Sequence, residues 1–286
     1  MRPIIREMMN GICIEALRKL SNKNSIVRRE IKKHGGLVAF AKREAKTIID
    51  IYYDLSFGTA GRAGKSYADP FVVCFCSHSD EPEYVKENGL LSQWRGYGAE
   101  GGVAIIFDME QLCQTMLAEL KNFKYSAIYL KPVVYHESEL PGDDDFEKLE
   151  QALRQLFKLV ANGENYKEVI FDVFTPFFGL VTRFKHQGFK EECEIRLSMS
   201  PVPKFVEDTE NSKPTFSHGN WLGNQTLRVA LNEVPNKKEL PIQRIIVGPQ
   251  HDQSTVMQRV IDIIGKRNIT VTKSETPYIP MWPSPK

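Results

Sequence analysis

The sequence has no large excess of either charge, no long uninterrupted apolar run and few cysteines. Across 286 residues, 38 Lys and Arg stand against 36 Asp and Glu, so a net charge of +2 predicts no general affinity for nucleic acid or membrane. The five cysteines (Cys13, Cys74, Cys76, Cys113 and Cys193) are odd in number and irregularly spaced, which argues against a disulfide framework or a zinc site. The six histidines form no His-x-x-x-His pair, there is no Cys-x-x-Cys, and no metal is expected. A Gly-x-Ser-x-Gly nucleophile elbow is also missing, which removes the main support for a serine hydrolase. The opening stretch is broken by Arg2, Arg6, Glu7 and Glu15, and the most apolar one, Val169 to Phe184, contains Asp172 and Pro176. Neither reads as a signal peptide or a membrane span, so a cytoplasmic protein is expected.

What is present is an ordinary globular composition, 42% hydrophobic and 26% charged, long enough for one large domain or two small ones. Charge is unevenly placed. Residues 1–50 hold twelve Lys/Arg and five Asp/Glu, a surplus of seven that leaves the rest of the chain at −5. Apolar residues from Ile26 to Tyr52 recur near helical spacing, and His34-Gly35-Gly36 should split the run into two helices. Gly58 to Gly64, followed by Lys65-Ser66, lacks the spacing of a phosphate loop and reads as a linker. The predicted organisation is a helical basic region over 1–57, a linker over 58–69 and an α+β domain over 70–286.

Within that domain, Phe71–Cys76 and Gly102–Phe107 read as buried strands, with a short helix over Leu91–Tyr97 between them. Asp108, with Gln111 three residues on, is the N-cap signal of a further helix. Helices are expected over Asp143 to about Leu159 and over Val169–Phe184, with a kink near Pro176. Residues 201–225 read as a long loop, and strands at Leu227–Leu231, Ile242–Val247 and Ile269–Thr272 enclose a helix near Ser254–Lys266. The fold class is therefore α+β: a mixed, largely antiparallel split sheet flanked by helices, with a helical basic N-terminal extension.

Two constellations carry chemistry. Glu192, Glu194 and Arg196 alternate with apolar neighbours, which puts all three on one face if they lie on a strand. Paired carboxylates suit glycosidic cleavage, where one stabilises an oxocarbenium-like centre; the plainer reading is a solvent-facing strand with a cross-strand ion pair. Trp94 and Tyr97, three apart on a predicted helix, are either core anchors or a flat wall for a ring, with Gly101-Gly102 allowing close backbone approach. His78 reads as a surface-loop histidine. The carboxyls of Asp69, Asp80, Glu192 and Glu194 would be the raw material of a magnesium nuclease, without a spacing that demonstrates one.

The ordered series Cys74-Phe75-Cys76-Ser77, Leu91 to Tyr97, Gly102 to Phe107, Val134-Tyr135, Phe189 to Leu197, Ile245 to Pro249 and Ser274 to Tyr278 resembles the bacterial domain-of-unknown-function family 2971. The resemblance runs from about residue 70 to residue 280. It implies a role in phage defence or abortive infection, and an architecture similar to ADP-ribosyltransferase folds. By that analogy NAD is the donor substrate, Glu194 is the catalytic glutamate and Glu192 assists the acceptor. Ser77, Trp94, Tyr97, Arg196 and Tyr278 would then contact substrate or cofactor, although Ile279 stands where the family carries an arginine. The leading expectation is thus an ADP-ribosyltransferase-like effector with an unidentified acceptor. The alternative is a non-catalytic module that binds nucleic acid or a protein through residues 1–50.

Overall fold

The computed structural model describes residues 3–57, 71–98, 101–122, 125–162, 164–165, 169–201, 217–221, 224–228 and 240–277. The chain divides into two compact units, each drawn from two stretches of sequence: residues 1–75 with 123–227, and residues 76–122 with 228–286. Together they give an α+β protein with two small, open, mostly antiparallel sheets flanked by helices. No described helix is long and apolar enough to cross a membrane.

The first unit opens with α1 (Pro3–Lys23), α2 (Ser25–Lys33) and α3 (Leu37–Phe57). The Asn24 side chain caps α2 by accepting from the Ile26 amide at 2.9 Å. Gly35 and Gly36 end it with φ of 82° and 103°, and the Gly36 amide donates back to the Ile31 carbonyl at 2.8 Å. Side chains with a Cβ resist that left-handed geometry, so the glycine pair separates α2 from α3. Ile5, Met9, Ile12 and Cys13 of α1 and Ala41, Ala45, Ile49 and Tyr52 of α3 join one core with α7 (Asp144–Asn162) and α8 (Val169–Val181). Phe177, Phe178 and Leu180 of α8 are fully or almost fully buried there.

Three strands complete this unit in the order β1 (Phe71–Cys76), β4 (Glu194–Pro201), β3 (Tyr125–Pro132). β3 and β4 run antiparallel, with Leu130 opposite Leu197 and Pro132 opposite Ile195. Within the stretch 201–225 expected as a loop, β5 (Ser217–Trp221) forms and pairs with β6 (Asn224–Arg228), which begins ahead of the strand expected from Leu227. Gly219, Asn220 and Asn224 are poor strand formers, so cross-strand pairing overrides local preference at these positions.

The second unit holds α4 (Glu83–Asn88), α5 (Leu91–Tyr97), β2 (Val103–Phe107), α6 (Met109–Asn122), β7 (Ile242–Val247), α9 (Gln253–Ile264) and β8 (Thr270–Lys273). β7 is central, antiparallel to β2 and parallel to β8. Asp108 caps α6 by accepting from the Gln111 amide at 2.9 Å, while the Gln111 side chain donates to its other oxygen at 2.8 Å.

Candidate functional sites

The sequence-predicted residues fall in both units, and two local arrangements emerge. In the first unit, β4 begins at Glu194, so Glu192 is not on the strand. It ends a 3-10 turn over Gln187–Glu192, and Cys193 turns the chain into β4 with φ of 42°, the one positive-φ non-glycine among the described residues. The expected three-residue polar face is therefore corrected: only Glu194 and Arg196 have strand spacing. The two carboxylates meet by another route. The Lys185 ammonium donates to Glu192 Oε2 at 2.6 Å and also to Glu194 Oε2.

Glu194 is 2% exposed and closely held. Its amide donates to Tyr135 Oη at 2.8 Å, and its carbonyl accepts from the Val133 amide at 2.9 Å. Arg196 Nε donates to Glu194 Oε1 at 2.7 Å, and Nη2 lies 2.6 Å from the same oxygen. Arg196 also reaches the Thr182 carbonyl at 2.5 Å through Nη1. The Cys74 thiol, on β1, is a further hydrogen-bond partner of the Glu194 carboxylate. Burial pushes the Glu194 carboxyl up, but the hydrogen bonds from Lys185, Cys74 and Arg196 outweigh it and hold the group below the usual carboxylate range. Lys185 is lowered by desolvation and raised more strongly by Glu192 and Glu194, ending above an ordinary lysine.

A carboxylate offers about four lone-pair positions. Lys185 donates to Oε2 and Arg196 Nε to Oε1 of Glu194, and Arg196 Nη2 adds an ion-pair contact to Oε1. Glu192, Glu194, Lys185 and Arg196 also sum to zero formal charge. At Glu194 the strand is closed off from bulk water and meets an ionic cluster of Lys185, Glu192 and Arg196. Sequence reasoning missed Lys185 and the role of Tyr135, because neither residue has a local spacing relation to Glu194 that would flag it.

Ser77, Trp94 and Tyr97 belong to the second unit. Ser77 Oγ lies 3.2 Å from Ser79 Oγ. Trp94 is 8% exposed while Tyr97 is 76% exposed, so the two do not share a buried helix face. Trp94 is a core anchor: Nε1 donates to the Asn88 carbonyl at 2.7 Å, which also accepts from Ser274 Oγ at 2.7 Å. Both rings nonetheless line one cavity of about 220 Å³, together with His78, Lys86, Gln93 and Ile246. His78 is not a plain surface histidine, since its Nε2 is buried without a hydrogen-bond partner among the described residues. Desolvation lowers its pKa and favours the neutral ring. Tyr278 lies outside the described residues. Among the described residues, no three His, Cys, Asp or Glu side chains are grouped as a metal site would need.

Residues 93–197 match the family model described as protein of unknown function (DUF2971), and over that segment the chain resembles the family. The matched segment contains Trp94, Tyr97, Lys185, Glu192, Glu194 and Arg196. No curated protein and no solved structure matches the chain.

Proposed function

We propose that the chain works by binding nucleic acid through the outer face of α2 and α3, and that the Glu194 cluster is a structural brace. One observation carries this reading: α2 buries no residue and is cationic along its outward side. Arg28, Arg29, Lys32 and Lys33 fall within an arc of about 140° at 100° per residue, and all four are exposed. Val27 and Ile31 occupy the other side and pack against the core. Lys42, Arg43 and Lys46 of α3 are exposed as well. Such a face neutralises phosphates without reading sequence, so affinity depends on released counterions.

The test is fluorescence anisotropy with a mixed-sequence duplex at several salt concentrations. Four phosphate contacts predict a loss of roughly 100-fold between about 50 and 200 mM salt. Replacing Arg28, Arg29, Lys32 and Lys33 together by Gln should flatten that dependence while leaving the unfolding midpoint close to wild type. Binding that ignores salt, or that survives the quadruple variant, would redirect the proposal to a protein partner.

A second reading, NAD-dependent glycosyl transfer, is favoured by the ionised state of Glu194 and the nearness of Glu192. In that reading a ribose hydroxyl donates to a Glu194 carboxylate lone pair that Lys185 and Arg196 do not occupy. Glu194 then stabilises the positive charge that develops as nicotinamide leaves. Nicotinamide release from NAD by the purified protein, abolished in Glu194→Gln with folding intact, is the result that would install this reading in place of the first.

A further inference from the structure

The second unit holds a cavity lined by apolar groups and a few polar ones, one of which, His78, carries a buried ring nitrogen without a partner among the described residues. Its floor is apolar: Ile106 of β2 and Ile246 of β7 come from paired strands, and Trp94 closes one side. The indole is immobilised by packing. A Cβ at Gly89 would sit 2.9 Å from Trp94 Nε1, and one at Gly248 would sit 2.7 Å from Cζ3, so these two glycines let the backbone close around the ring. The Asn88 carbonyl that receives the indole N–H is itself held in place, since the Asn88 side chain donates to the Tyr84 carbonyl at 3.0 Å and accepts from the Glu275 amide at 2.6 Å. The wall is rigid before any ligand arrives.

The rim is rich in donors. Lys86 lines the cavity, and no anion among the described residues pairs with its ammonium. The Lys86 carbonyl is fixed by Arg244 at 2.7 Å, which holds that stretch of α4 against β7. His78 also lines it, and its ring Nε2 is buried without a partner among the described residues. The Gln93 amide is turned to Cys76 Sγ at 3.0 Å. Among the described residues, no Asp or Glu lines the space. A buried polar atom without a partner keeps the cost of its lost hydration, and such an atom beside a native cavity points to an absent partner. An apolar floor with a few convergent polar groups is the usual make-up of a small-molecule site. A dry cavity of about 150 Å³ is enough to take a benzene ring. At about 220 Å³, this one has room for a ring and one compact substituent.

We propose that this cavity binds a small aromatic or heteroaromatic acid, with its ring on Trp94 and Ile246 and its carboxylate on Lys86 and His78. Ring burial supplies the affinity. The ammonium and imidazole select the anion over its neutral isostere, because a carboxylate accepts from both while a carboxamide brings an NH2 group that neither needs.

The experiment is isothermal titration of the full chain with benzoate and nicotinate, using benzamide and nicotinamide as neutral controls of equal shape. The acids should bind with a Kd of about 1 mM or tighter, and the amides at least about 10-fold more weakly, the size of one charge-assisted contact. Lys86→Met should remove that preference and leave the ring's affinity near that of the amides. Ala104→Leu, a substitution on the cavity wall, should weaken acids and amides alike, and ligand-observed NMR with a melting curve separates blockage from unfolding. Equal binding of acid and amide, no saturable binding of either acid, or an unchanged preference in Lys86→Met would each overturn the proposal.

Discussion

Two places in the molecule, the Glu194 cluster of the first unit and the Trp94 cavity of the second, treat buried polarity in opposite ways. In the first, Glu194 is almost fully buried and both its carboxylate oxygens are held inside the protein, Oε2 by Lys185 and Oε1 by Arg196. In the second, the His78 Nε2 is buried with no partner among the described residues, and Lys86 faces a cavity without a carboxylate. A saturated cluster rigidifies its surroundings and has little left to offer a ligand. An unsatisfied one keeps a desolvation cost that a ligand can relieve. Burial of a charged group is therefore a poor guide to activity on its own; the count of unmet hydrogen bonds separates brace from site.

The comparison is most sharply broken at Lys185. Lys185→Met leaves two carboxylates beside one guanidinium, with Glu194 buried, and removing one partner of a buried pair costs about 3–5 kcal/mol. Urea denaturation should show that loss. A change below about 1 kcal/mol would mean that the cluster is not a brace, since ordinary surface pairs are worth that much. Gly248→Ala probes the other unit. Its Cβ would lie 2.7 Å from Trp94 Cζ3 and 3.1 Å from the Gly102 carbonyl oxygen, so ring or strand must move. Overpacking of this kind costs about 1–3 kcal/mol, and displacement of the indole should also alter its near-UV circular dichroism. An unperturbed spectrum at wild-type stability would show that the wall is not tightly packed.

The smallest effect concerns pH. An unfolded glutamate titrates near about 4.3, and Glu194 is held below the ordinary value in the folded protein. Its contribution is then complete above the unfolded value and is lost as pH falls through the folded one. Urea midpoints measured from about pH 6 down to about pH 3 should fall more steeply for the wild type than for Glu194→Gln. Parallel curves would remove Glu194 from the acid response.

Much of the fold was legible in the sequence where the signal is local. The Gly35-Gly36 break, the Asp108 cap and the apolar strand Ile242–Val247 each depend on residues within one turn or one strand, and the elements form where expected. Trp94 was legible as an anchor or a wall for a ring; it is buried as an anchor and lines the cavity. The strand start at Glu194 was not legible. Alternation from Glu192 to Arg196 satisfies a period of two, yet the left-handed turn at Cys193 interrupts it, and no spacing rule announces such a turn at a non-glycine residue. The β5–β6 ribbon was hidden for a similar reason, since pairing with a neighbour can outweigh weak strand propensity.

The sequence by itself determined those helical and strand segments whose signal is local, the basic character of residues 1–50 and the α+β class, because periodicity, capping and charge are properties of neighbours along the chain. Only the tertiary structure decided that Lys185 bridges Glu192 and Glu194, and that Tyr135 pins the Glu194 backbone across 59 positions of sequence. It likewise decided that His78, Lys86 and Ile246 face the same cavity. Hydrogen-bond saturation depends on which groups meet in space, and residues far apart in the chain leave no periodic trace of that meeting.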